Sequence, residues 1–491
     1  MARRPTVAII GSGFSGLATA IGLKRAGYDF TVFERAEGVG GVWRHNSYPG
    51  AACDVASSLY SYSFAPNPDW SRPFAPQSEI QAYLERCVRT YGLAGHLRFG
   101  TEIASAEFRD GRWHLETTGG QRHTADVLVP ACGQLTRPAY PRISGIEDFT
   151  GTVFHSAEWD HTHDLTGKRV AVVGNGASAV QLVPPVAEQA AELTVYQRSA
   201  EYLIPKPDYA HRAWQKWLYR RVPGALKLVR GAWWAIGEYV NPALTRNWSD
   251  RARHAWLAPF RAAARLQLRL AIRDPELRRK LTPDYTMGCK RILLSSNYYP
   301  ALARPHVDVV ADPITEIAPN GVLTADGTKR EVDTIIFATG FQSGGFVAPM
   351  RVTGLGGRDL NQAWADGPAA YLGMTVPGFP NLFLMYGPNT NFGGGSIVYI
   401  LECQARYIVD AVRHLDDASQ LDVRQDTYDR FGAEVQRRLA SSVWATGGCT
   451  SWYTHNGRVT NNWPGLMYEY RRRTRRFQPD EYVITPLTAG G

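Results

Sequence analysis

Two glycine-rich fingerprints constrain the fold of this chain more than any other feature of its sequence. The first, GSGFSG at residues 11–16, follows a short apolar strand pattern and precedes a helical pattern. The second, GNGASA at residues 174–179, has the same setting, with alanine in the third glycine position. In such βαβ units the glycines allow a tight turn and let backbone N–H groups approach a pyrophosphate. The sequence therefore predicts an α/β fold with two Rossmann-like dinucleotide-binding domains.

The residues that end the second strand of each unit indicate different nucleotides. Glu34 stands 18 residues past Gly16 and can accept hydrogen bonds from a ribose. In the second unit the same place has Gln197, Arg198 and Ser199, so no acid repels a 2′-phosphate. Arg198 offers such a phosphate a planar, bidentate partner. We expect NADPH to be preferred over NADH by about tenfold to a hundredfold. The alternative is a surface arginine beside an empty groove.

Two loops outside the fingerprints are also expected near a nucleotide. Residues 40–54 leave the first unit directly and are rich in glycine, proline and asparagine, which favours a loop. Residues 386–391, YGPNTN, follow a predicted strand at 381–385 and precede a predicted helix at 396–414. A helix N-terminus behind such a turn suits an electron-rich ring or a phosphate. The cofactor-binding residues expected from the two units and these loops are Gly11, Gly13, Gly16, Glu34, Gly41, Trp43, Gly174, Gly176, Ser178, Gln197, Arg198, Ser199 and Asn389.

Length and composition indicate a globular chain with more than one domain. At 491 residues the chain is too long for one ordinary core, and 44% of its residues are hydrophobic. No run reaches about 18 uncharged apolar residues, so no transmembrane helix is predicted. The six cysteines are scattered without a C-x-x-C pair, which favours a reducing cytoplasm and argues against a dithiol redox centre or a metal site. The net charge of +9 is assigned to anionic cofactors and solvated helices, because no nucleic-acid-binding module is present.

The stretch from residue 205 to residue 280 has a different character. Six of the fourteen tryptophans fall there, among arginines at helical spacing. This pattern predicts a helical insertion at about 205–285. Its aromatic residues could face a substrate vestibule or a membrane, or they could form the core of a small helical subdomain with arginines outside. We favour the second interpretation, and peripheral membrane contact by a basic amphipathic helix stays open.

A third motif lies between the two fingerprints, in residues 149–160 (FTGTVFHSAEWD). Its pattern resembles the fingerprint of the Baeyer–Villiger monooxygenases at every specified position. Residues 40–54, with Gly-Gly-x-Trp at 40–43, Tyr-Pro-Gly at 48–50 and Asp54, are similar to the second signature of that family. The resemblance covers nearly the whole chain, and the closing Trp-Asp distinguishes it from the related N- and S-oxidising flavin monooxygenases. The fingerprint residues are Phe149, Gly151, His155, Trp159 and Asp160.

The resemblance implies FAD and NADPH as cofactors, with O2 and a ketone as reactants. In that family NADPH reduces FAD, oxygen forms a peroxyflavin, and attack on the ketone gives an ester or a lactone. Arg291 matches the arginine whose fixed charge stabilises the peroxide and then the oxyanion, and Asp54 matches the acid that positions it and lies near the cofactor. Lys290 matches the residue that joins Arg198 at the 2′-phosphate. Trp452 matches, more loosely, a tail tryptophan that orders over the nicotinamide.

The same resemblance divides the chain into domains. The FAD-binding domain is expected at 1–150 and 381–491, the latter ending in a mobile aromatic loop, and the NADP-binding domain at 151–380. Residues 149–160 are expected to form a hinge strand between the two. His155 would then couple nicotinamide docking to domain orientation rather than act as a base.

Two other functions stay open from the sequence. A flavin monooxygenase that oxidises sulfur or nitrogen would need no arginine for an oxyanion. A flavin- and NADP-binding redox sensor would bind both nucleotides without transferring oxygen. The ketone itself and the oligomeric state are not indicated by any motif.

Overall fold

The computed structural model describes residues 4–416 and 418–486. In these ranges the strands are β1 (Thr6–Ile10), β2 (Asp29–Phe33), β3 (Leu97–Arg98), β4 (Ile103–Arg109), β5 (Arg112–Thr117), β6 (Arg122–Ala125), β7 (Val127–Pro130), β8 (Thr152–His155), β9 (Arg169–Val173), β10 (Glu192–Tyr196), β11 (Leu203–Ile204), β12 (Leu293–Leu294), β13 (Val307–Val310), β14 (Ile314–Ala318), β15 (Gly321–Thr324), β16 (Lys329–Glu331), β17 (Thr334–Phe337), β18 (Arg351–Thr353), β19 (Ala418–Val423), β20 (Thr454–His455), β21 (Arg458–Val459) and β22 (Tyr482–Pro486).

The α-helices surround these strands and also form the insertion. They are α1 (Phe14–Ala26), α2 (Val42–His45), α3 (Gln77–Thr90), α4 (Ala177–Gln189), α5 (Ala213–Arg221), α6 (Ala225–Thr245), α7 (Asp250–Trp256), α8 (Ala258–Ala271), α9 (Pro275–Lys280), α10 (Tyr298–Leu302), α11 (Leu360–Ala363), α12 (Ile397–His414), α13 (Gln425–Leu439), α14 (Val443–Thr446) and α15 (Met467–Arg473).

The first parallel sheet has the strand order β3, β2, β1, β7. Its central strand β1 is almost wholly buried, because its apolar residues are covered on both faces, as is typical of parallel strands. On one face α1 packs against α12, with Leu17 and Ile21 buried between them and the sheet. The first glycine fingerprint therefore turns the chain at the carboxyl end of a central strand.

The second parallel sheet has the order β13, β10, β9, β17, β8. The second fingerprint joins β9 to α4, so both fingerprints occupy equivalent places in two similar units. In open α/β sheets ligands bind outside the carboxyl ends of the strands. A fold with two Rossmann-like dinucleotide-binding units is thus what the sequence predicts and what the structure has.

An antiparallel meander of β4, β5 and β6 accompanies the first sheet, with β18 parallel to β4. Residues 381–385, predicted as a strand, run beside β7, where the Leu128 N–H donates to the Asn381 carbonyl over 3.0 Å. The N–H groups of Phe383 and Met385 donate to the Leu128 and Pro130 carbonyls at 3.0 and 2.9 Å. Only the Leu128–Leu382 pair forms a bridge, so the predicted strand is formed in part.

Helices α5 to α9 occupy the tryptophan-rich stretch. The preference for an inward-facing aromatic core is only partly right, because Trp214 and Trp217 are each 59% exposed. By contrast Arg253 is buried, and its Nε donates to the Ala243 carbonyl over 2.8 Å. Within the described ranges, no helix combines the length and the apolarity that a membrane span requires.

Candidate active site

A cleft of about 1080 Å³ is lined by residues that follow the carboxyl ends of strands in both parallel sheets. Sites for one small molecule typically measure roughly 300–1,000 Å³, so this cleft is at the upper end of that range and is lined by both fingerprints. Most of the site residues expected from the sequence line it: Gly11, Gly13, Glu34, Gly41, Trp43, Asp54, Gly174, Gly176, Ser178, Gln197, Arg198, Ser199, Lys290, Arg291 and Trp452.

The first fingerprint forms a cradle that only glycine permits. Gly11 has φ of +105°, and a Cβ there would lie 2.6 Å from the Ala131 carbonyl oxygen. Gly16 lies outside the cleft lining because it packs against the Gly11 carbonyl, which any Cβ at Gly16 would overlap. Gly41 closes the cradle, since a Cβ there would lie 3.2 Å from the Gly13 Cα. No side chain caps α1, so its first N–H groups are available to a pyrophosphate, and the cradle fits FAD.

Glu34 organises this cradle as well as facing the cleft. One carboxylate oxygen accepts hydrogen bonds from the backbone N–H and the hydroxyl of Ser12, at 2.8 and 2.7 Å. The other accepts from the Ala36 N–H at 2.9 Å. Glu34 is 6% exposed, and the oxygen that accepts from Ala36 keeps a lone pair free, as recognition of a ribose requires.

The second fingerprint is arranged in the same way and leads to a basic corner. Gly174 has φ of +114°, and a Cβ there would overlap the Ala338 carbonyl. Asn175 donates to the Gln197 side chain, whose own amide donates to the Lys280 carbonyl over 2.8 Å, so Gln197 is held as part of the loop. Arg198 is exposed toward the cleft.

Lys290 reaches this corner from a distant part of the chain. Its Nζ donates to the Ser199 hydroxyl at 2.6 Å and forms an ion pair with Glu201 at 2.9 Å. The ammonium also lies 4.8 Å from the centroid of the Tyr285 ring. The structure therefore brings Arg198, Ser199 and Lys290 together beside the second fingerprint, and these donors fit the 2′-phosphate of NADPH.

Arg291 and Asp54 form a bidentate ion pair in the cleft. The Arg291 Nε and Nη2 donate to the two Asp54 carboxylate oxygens at 2.6 and 2.8 Å. Both side chains are mostly shielded from solvent, with 29% and 22% exposed. The nearby carboxylate raises the pKa of the Arg291 guanidinium further above its high normal value. A permanent positive charge therefore lies in the same cleft that the first fingerprint lines.

Tyr453 lies beside this ion pair, and the sequence did not identify it as a residue of the site. Its side chain is fully buried, and burial raises the pKa of its hydroxyl to about 12, an effect that the Arg291 charge opposes. It lines the cleft together with Tyr386. Only its position next to Trp452 could have indicated a site residue, because a tyrosine in an aromatic tail more often packs in a core.

The C-terminal aromatic segment is packed, not a detached loop. Trp452 is partly buried at the cleft, and Trp463 is 1% exposed. Asn389 holds this segment: its side-chain amide donates to the carbonyls of Val459 and Asn462 at 3.0 and 3.1 Å. Asn389 therefore does not line the cleft, which differs from the expected cofactor contact. The reason is that its left-handed backbone, with φ of 55°, turns the side chain toward the tail.

A disulfide joins Cys289 to Cys449, 160 residues apart, with the two Cα atoms 6.1 Å from each other. The scattered cysteines have no C-x-x-C pair, so the sequence did not predict this bond. Sequence spacing could not show the contact, because it arises only when the tail packs on the loop before Arg291. Cys53, Cys87, Cys132 and Cys403 are thiols.

Residues 149–160 are built into the second sheet. Their strand β8 is its edge strand, pairing with β17 from Thr152 opposite Thr334 to His155 opposite Phe337. Gly151 has no space for a Cβ beside the Asp333 carbonyl and the Phe149 ring. The other fingerprint residues fix the end of the strand: Trp159 packs edge-on against Phe154 and Asp160 accepts hydrogen bonds from the backbone and hydroxyl of Thr162.

His155 is fully buried at the end of β8. Its Nδ1 accepts a hydrogen bond from the Ala157 N–H at 3.1 Å. Burial lowers the pKa of the imidazole, which favours the neutral ring at physiological pH. The ring lies 5.4 Å from that of Tyr140, which lines the cleft, so His155 supports the cleft wall from behind.

Comparison with known proteins identifies the family of this chain. A family model described as flavin-binding monooxygenase-like matches residues 4–236. A Baeyer–Villiger monooxygenase of Pseudomonas aeruginosa is 46% identical to this chain, over 99% of the chain and 93% of the relative. One from Streptomyces coelicolor is also 46% identical, over 98% and 93% respectively.

Solved structures agree with these relatives. An oxidised steroid monooxygenase bound to NADP superposes with a TM-score of 0.85 at 32% identity, covering 98% of this chain and 99% of that one. Cyclohexanone monooxygenase from Rhodococcus sp. Phi1 bound to NADP+ gives 0.87 at 27% identity, covering 99% and 100%. Both the resemblance and the fold class expected from the sequence are confirmed. This chain belongs to the Baeyer–Villiger monooxygenases, as an NADPH-dependent enzyme that contains FAD.

Proposed function

We propose that this enzyme oxygenates an apolar ketone to an ester or a lactone, with Arg291 as the residue that stabilises the developing negative charge. The observation that supports this proposal is the Arg291–Asp54 ion pair inside the cleft shared by the two fingerprints. The FAD domain would comprise residues 1–150 and 381–491 together with β18, which pairs with β4, and the NADP domain the rest of residues 151–380. When bound and reduced by NADPH, FAD supplies the activation of dioxygen.

Arg291 suits oxyanion stabilisation because its charge is permanent and oriented before the reaction. A preorganised donor aimed at a developing oxyanion is among the strongest catalytic devices, particularly where water is excluded. The aromatic rings of Tyr386 and Tyr453 exclude water on this side of the cleft. A guanidinium also holds its protons tightly, so it stabilises a reactive anion without quenching it.

Asp54 acts as a positioning residue for Arg291. Two hydrogen bonds that the Asp54 carboxylate accepts fix the plane of the Arg291 guanidinium, and the remaining nitrogen, Nη1, takes no part in this pair. Burial strongly raises the pKa of the neighbouring Cys53 thiol, which therefore stays neutral. Asp54 is then the carboxylate that balances Arg291 before substrate arrives.

The basic corner predicts selectivity for NADPH. Arg198→Ala is expected to raise the NADPH Michaelis constant by about tenfold to a hundredfold and the NADH constant little, since only NADPH has a 2′-phosphate. Steady-state kinetics with both nucleotides measures this. Arg351→Ala, an exposed arginine on β18 outside the cleft, is the matched control. Equal effects on the two nucleotides would show that Arg198 does not bind the phosphate.

The position of His155 predicts a coupling role. His155→Ala is expected to lower turnover severalfold while FAD stays bound, because the wall behind Tyr140 loosens and the FAD cradle is untouched. Flavin content and turnover are measured on the same preparation. His306→Ala, a partly buried histidine of the same sheet region away from the cleft, controls for general loosening. Loss of FAD from His155→Ala would instead make His155 a structural residue.

The reaction itself is tested by incubation with ¹⁸O₂, NADPH and a panel of apolar ketones. We expect one labelled oxygen in an ester or lactone product, detected by mass spectrometry. Label appearing only in sulfides or amines added to the panel would support the sulfur- or nitrogen-oxidising alternative. NADPH consumption without label in any product would leave an uncoupled oxidase or a sensor.

A further inference from the structure

The helical insertion contains all of the excess positive charge of the chain. Residues 205–280 include 17 lysines and arginines but five aspartates and glutamates, which is a net charge of +12. The whole chain has a net charge of +9, so the remaining residues together are at −3. Binding of anionic cofactors does not explain this distribution, because the basic corner of the cleft uses only Arg198 and Lys290, outside the stretch.

The same insertion exposes most of the large apolar side chains that reach solvent. Of the sixteen such side chains in the described residues, ten lie between Tyr209 and Leu270. They include Trp214 and Trp217 on α5, each 59% exposed, and Leu228 on α6, 75% exposed. On α6 the exposed face continues at Ile236 and Tyr239. A concentration of this kind marks an interaction surface rather than scattered apolar residues.

Helix α8 combines the two properties on one face. Leu266 and Leu270, one turn apart, are 58% and 74% exposed. Arg265 and Arg269, also one turn apart on α8, are exposed beside these leucines, and Arg273 is exposed two residues beyond the end of the helix. The guanidinium groups of these three arginines donate no hydrogen bond to any other group in the described part of the chain.

We propose that the helical insertion docks this enzyme on an anionic lipid surface. A helix with basic residues beside exposed leucines binds such a surface by burying its apolar side chains at the headgroup boundary and pairing its charges with lipid phosphates. Exposed tryptophans favour the same boundary. Charge complementarity argues against a second copy as the occupant, because two segments of +12 would repel each other. The exposed aliphatic leucines argue against nucleic acid, which offers them no apolar partner.

Co-sedimentation of the FAD-loaded enzyme with vesicles tests this proposal. We expect binding to vesicles of phosphatidylcholine and phosphatidylglycerol, weaker binding at high salt, and little binding to phosphatidylcholine alone. The triple change Arg265→Gln, Arg269→Gln and Arg273→Gln is expected to weaken binding by about tenfold to a hundredfold. The double change Leu266→Ser with Leu270→Ser should weaken vesicle binding as well, since apolar burial and charge pairing both contribute to it.

The controls separate docking from misfolding and from self-association. Arg351→Gln, outside the insertion, should bind vesicles like the parent, and all variants should retain FAD and NADPH oxidation in buffer. Absence of vesicle binding, or equal binding to neutral and anionic vesicles, overturns the proposal. A dimer in solution that loses its contact in the Leu266 and Leu270 variant would assign the surface to a second copy and overturn it too.

A second, independent observation is the disulfide beside the charged residues of the cleft. Cys289 directly precedes Lys290 and stands two residues before Arg291, and Cys449 stands three residues before Trp452. The Thr286 N–H also donates to the Gly447 carbonyl at 3.0 Å, so the two loops are joined by one covalent and one hydrogen bond. Cys289 is fully buried and Cys449 is partly exposed.

We infer that this disulfide positions the Arg291 loop against the Trp452 segment and that thiols can release it. A thiolate would attack the reachable Cys449 sulfur, with the Cys289 thiolate as leaving group, and a second thiol would displace the mixed disulfide. In sum, one disulfide and two small thiols give two cysteines and the oxidised form of the small thiol. Breaking the bond would loosen both the loop with Lys290 and Arg291 and the segment with Trp452. This effect rests on the function proposed for these residues above.

Thiol counting tests the bond independently of the proposed reaction. The unfolded enzyme should show four titratable thiols without reductant and all six after treatment with dithiothreitol. In the folded enzyme, reduction is expected to raise the NADPH Michaelis constant by about threefold to tenfold while FAD stays bound. Cys449→Ser should show the same kinetics without reductant and no further response to dithiothreitol.

Cys87→Ala removes a buried thiol away from the cleft and should keep the response to reductant. Six thiols before reduction would show that the bond does not form. A response to dithiothreitol that persists in Cys449→Ser would assign the effect to another group.

Discussion

Arg291→Ala is expected to reduce ester formation from a ketone by roughly a hundredfold to a thousandfold, while NADPH continues to reduce FAD. The size follows from the loss of one preorganised charged donor at a developing oxyanion. Reduction needs no such donor, because hydride transfer requires only that the two cofactors lie in contact. Rapid-mixing absorbance of the flavin measures reduction, and mass spectrometry measures the product in the same reaction.

Arg291→Lys separates charge from geometry in this prediction. Lysine keeps a positive charge but lacks the planar fork that pairs with both Asp54 oxygens, and it can give up a proton more readily. We expect it to consume NADPH with hydrogen peroxide as the main product. Arg351→Ala serves again as the surface control. Ester formation at the parental rate in Arg291→Ala would show that another group stabilises the oxyanion.

The parts of this molecule that the sequence predicts well are those that depend on near neighbours. Each fingerprint lies within one βαβ unit and could be read from its local pattern, although Gly11 and Gly174 also pack against Ala131 and Ala338, far along the chain. Glu34 could be placed because it directly follows β2, which pairs with the strand before the fingerprint. The period of the helical insertion could likewise be read from its own residues.

The active-site pair illustrates what spacing alone cannot show. Arg291 and Asp54 are 237 residues apart in sequence, and neither stands in a motif whose geometry requires the other. Only the resemblance to a family brought them together before the structure did. Their proximity results from packing between the loop after α2 and the loop that leaves the insertion.

The departures from expectation arise at contacts of the C-terminal segment. Asn389 lies in a turn whose sequence suggests a ligand site, yet its side-chain amide donates to the C-terminal segment instead. The same packing places Cys449 beside Cys289 and Tyr453 beside Arg291. A glycine- and aromatic-rich tail has no periodicity from which such contacts could be derived.

Asp54→Asn is expected to lower turnover by about a hundredfold while leaving FAD bound. The amide has nearly the size of the carboxylate but cannot accept two charge-assisted hydrogen bonds, so the guanidinium loses its fixed plane. A displacement of about 1 Å at a reacting centre costs on the order of a hundredfold. Because the charge of Arg291 survives, we expect the lost turnover to be accompanied by more hydrogen peroxide per NADPH consumed.

The ratio of peroxide to ester distinguishes positioning from simple destabilisation. Loss of stability alone would lower the amount of active enzyme and leave that ratio unchanged. Asp69→Asn removes the partner of Arg220 in an exposed ion pair and should change neither quantity, since such pairs contribute about 0–1 kcal/mol. Asp54→Glu, which restores the charge at a longer reach, should recover part of the coupling. If Asp54→Asn keeps parental coupling and turnover, then Arg291 is oriented by the rest of the cleft, and Asp54 has no positioning role.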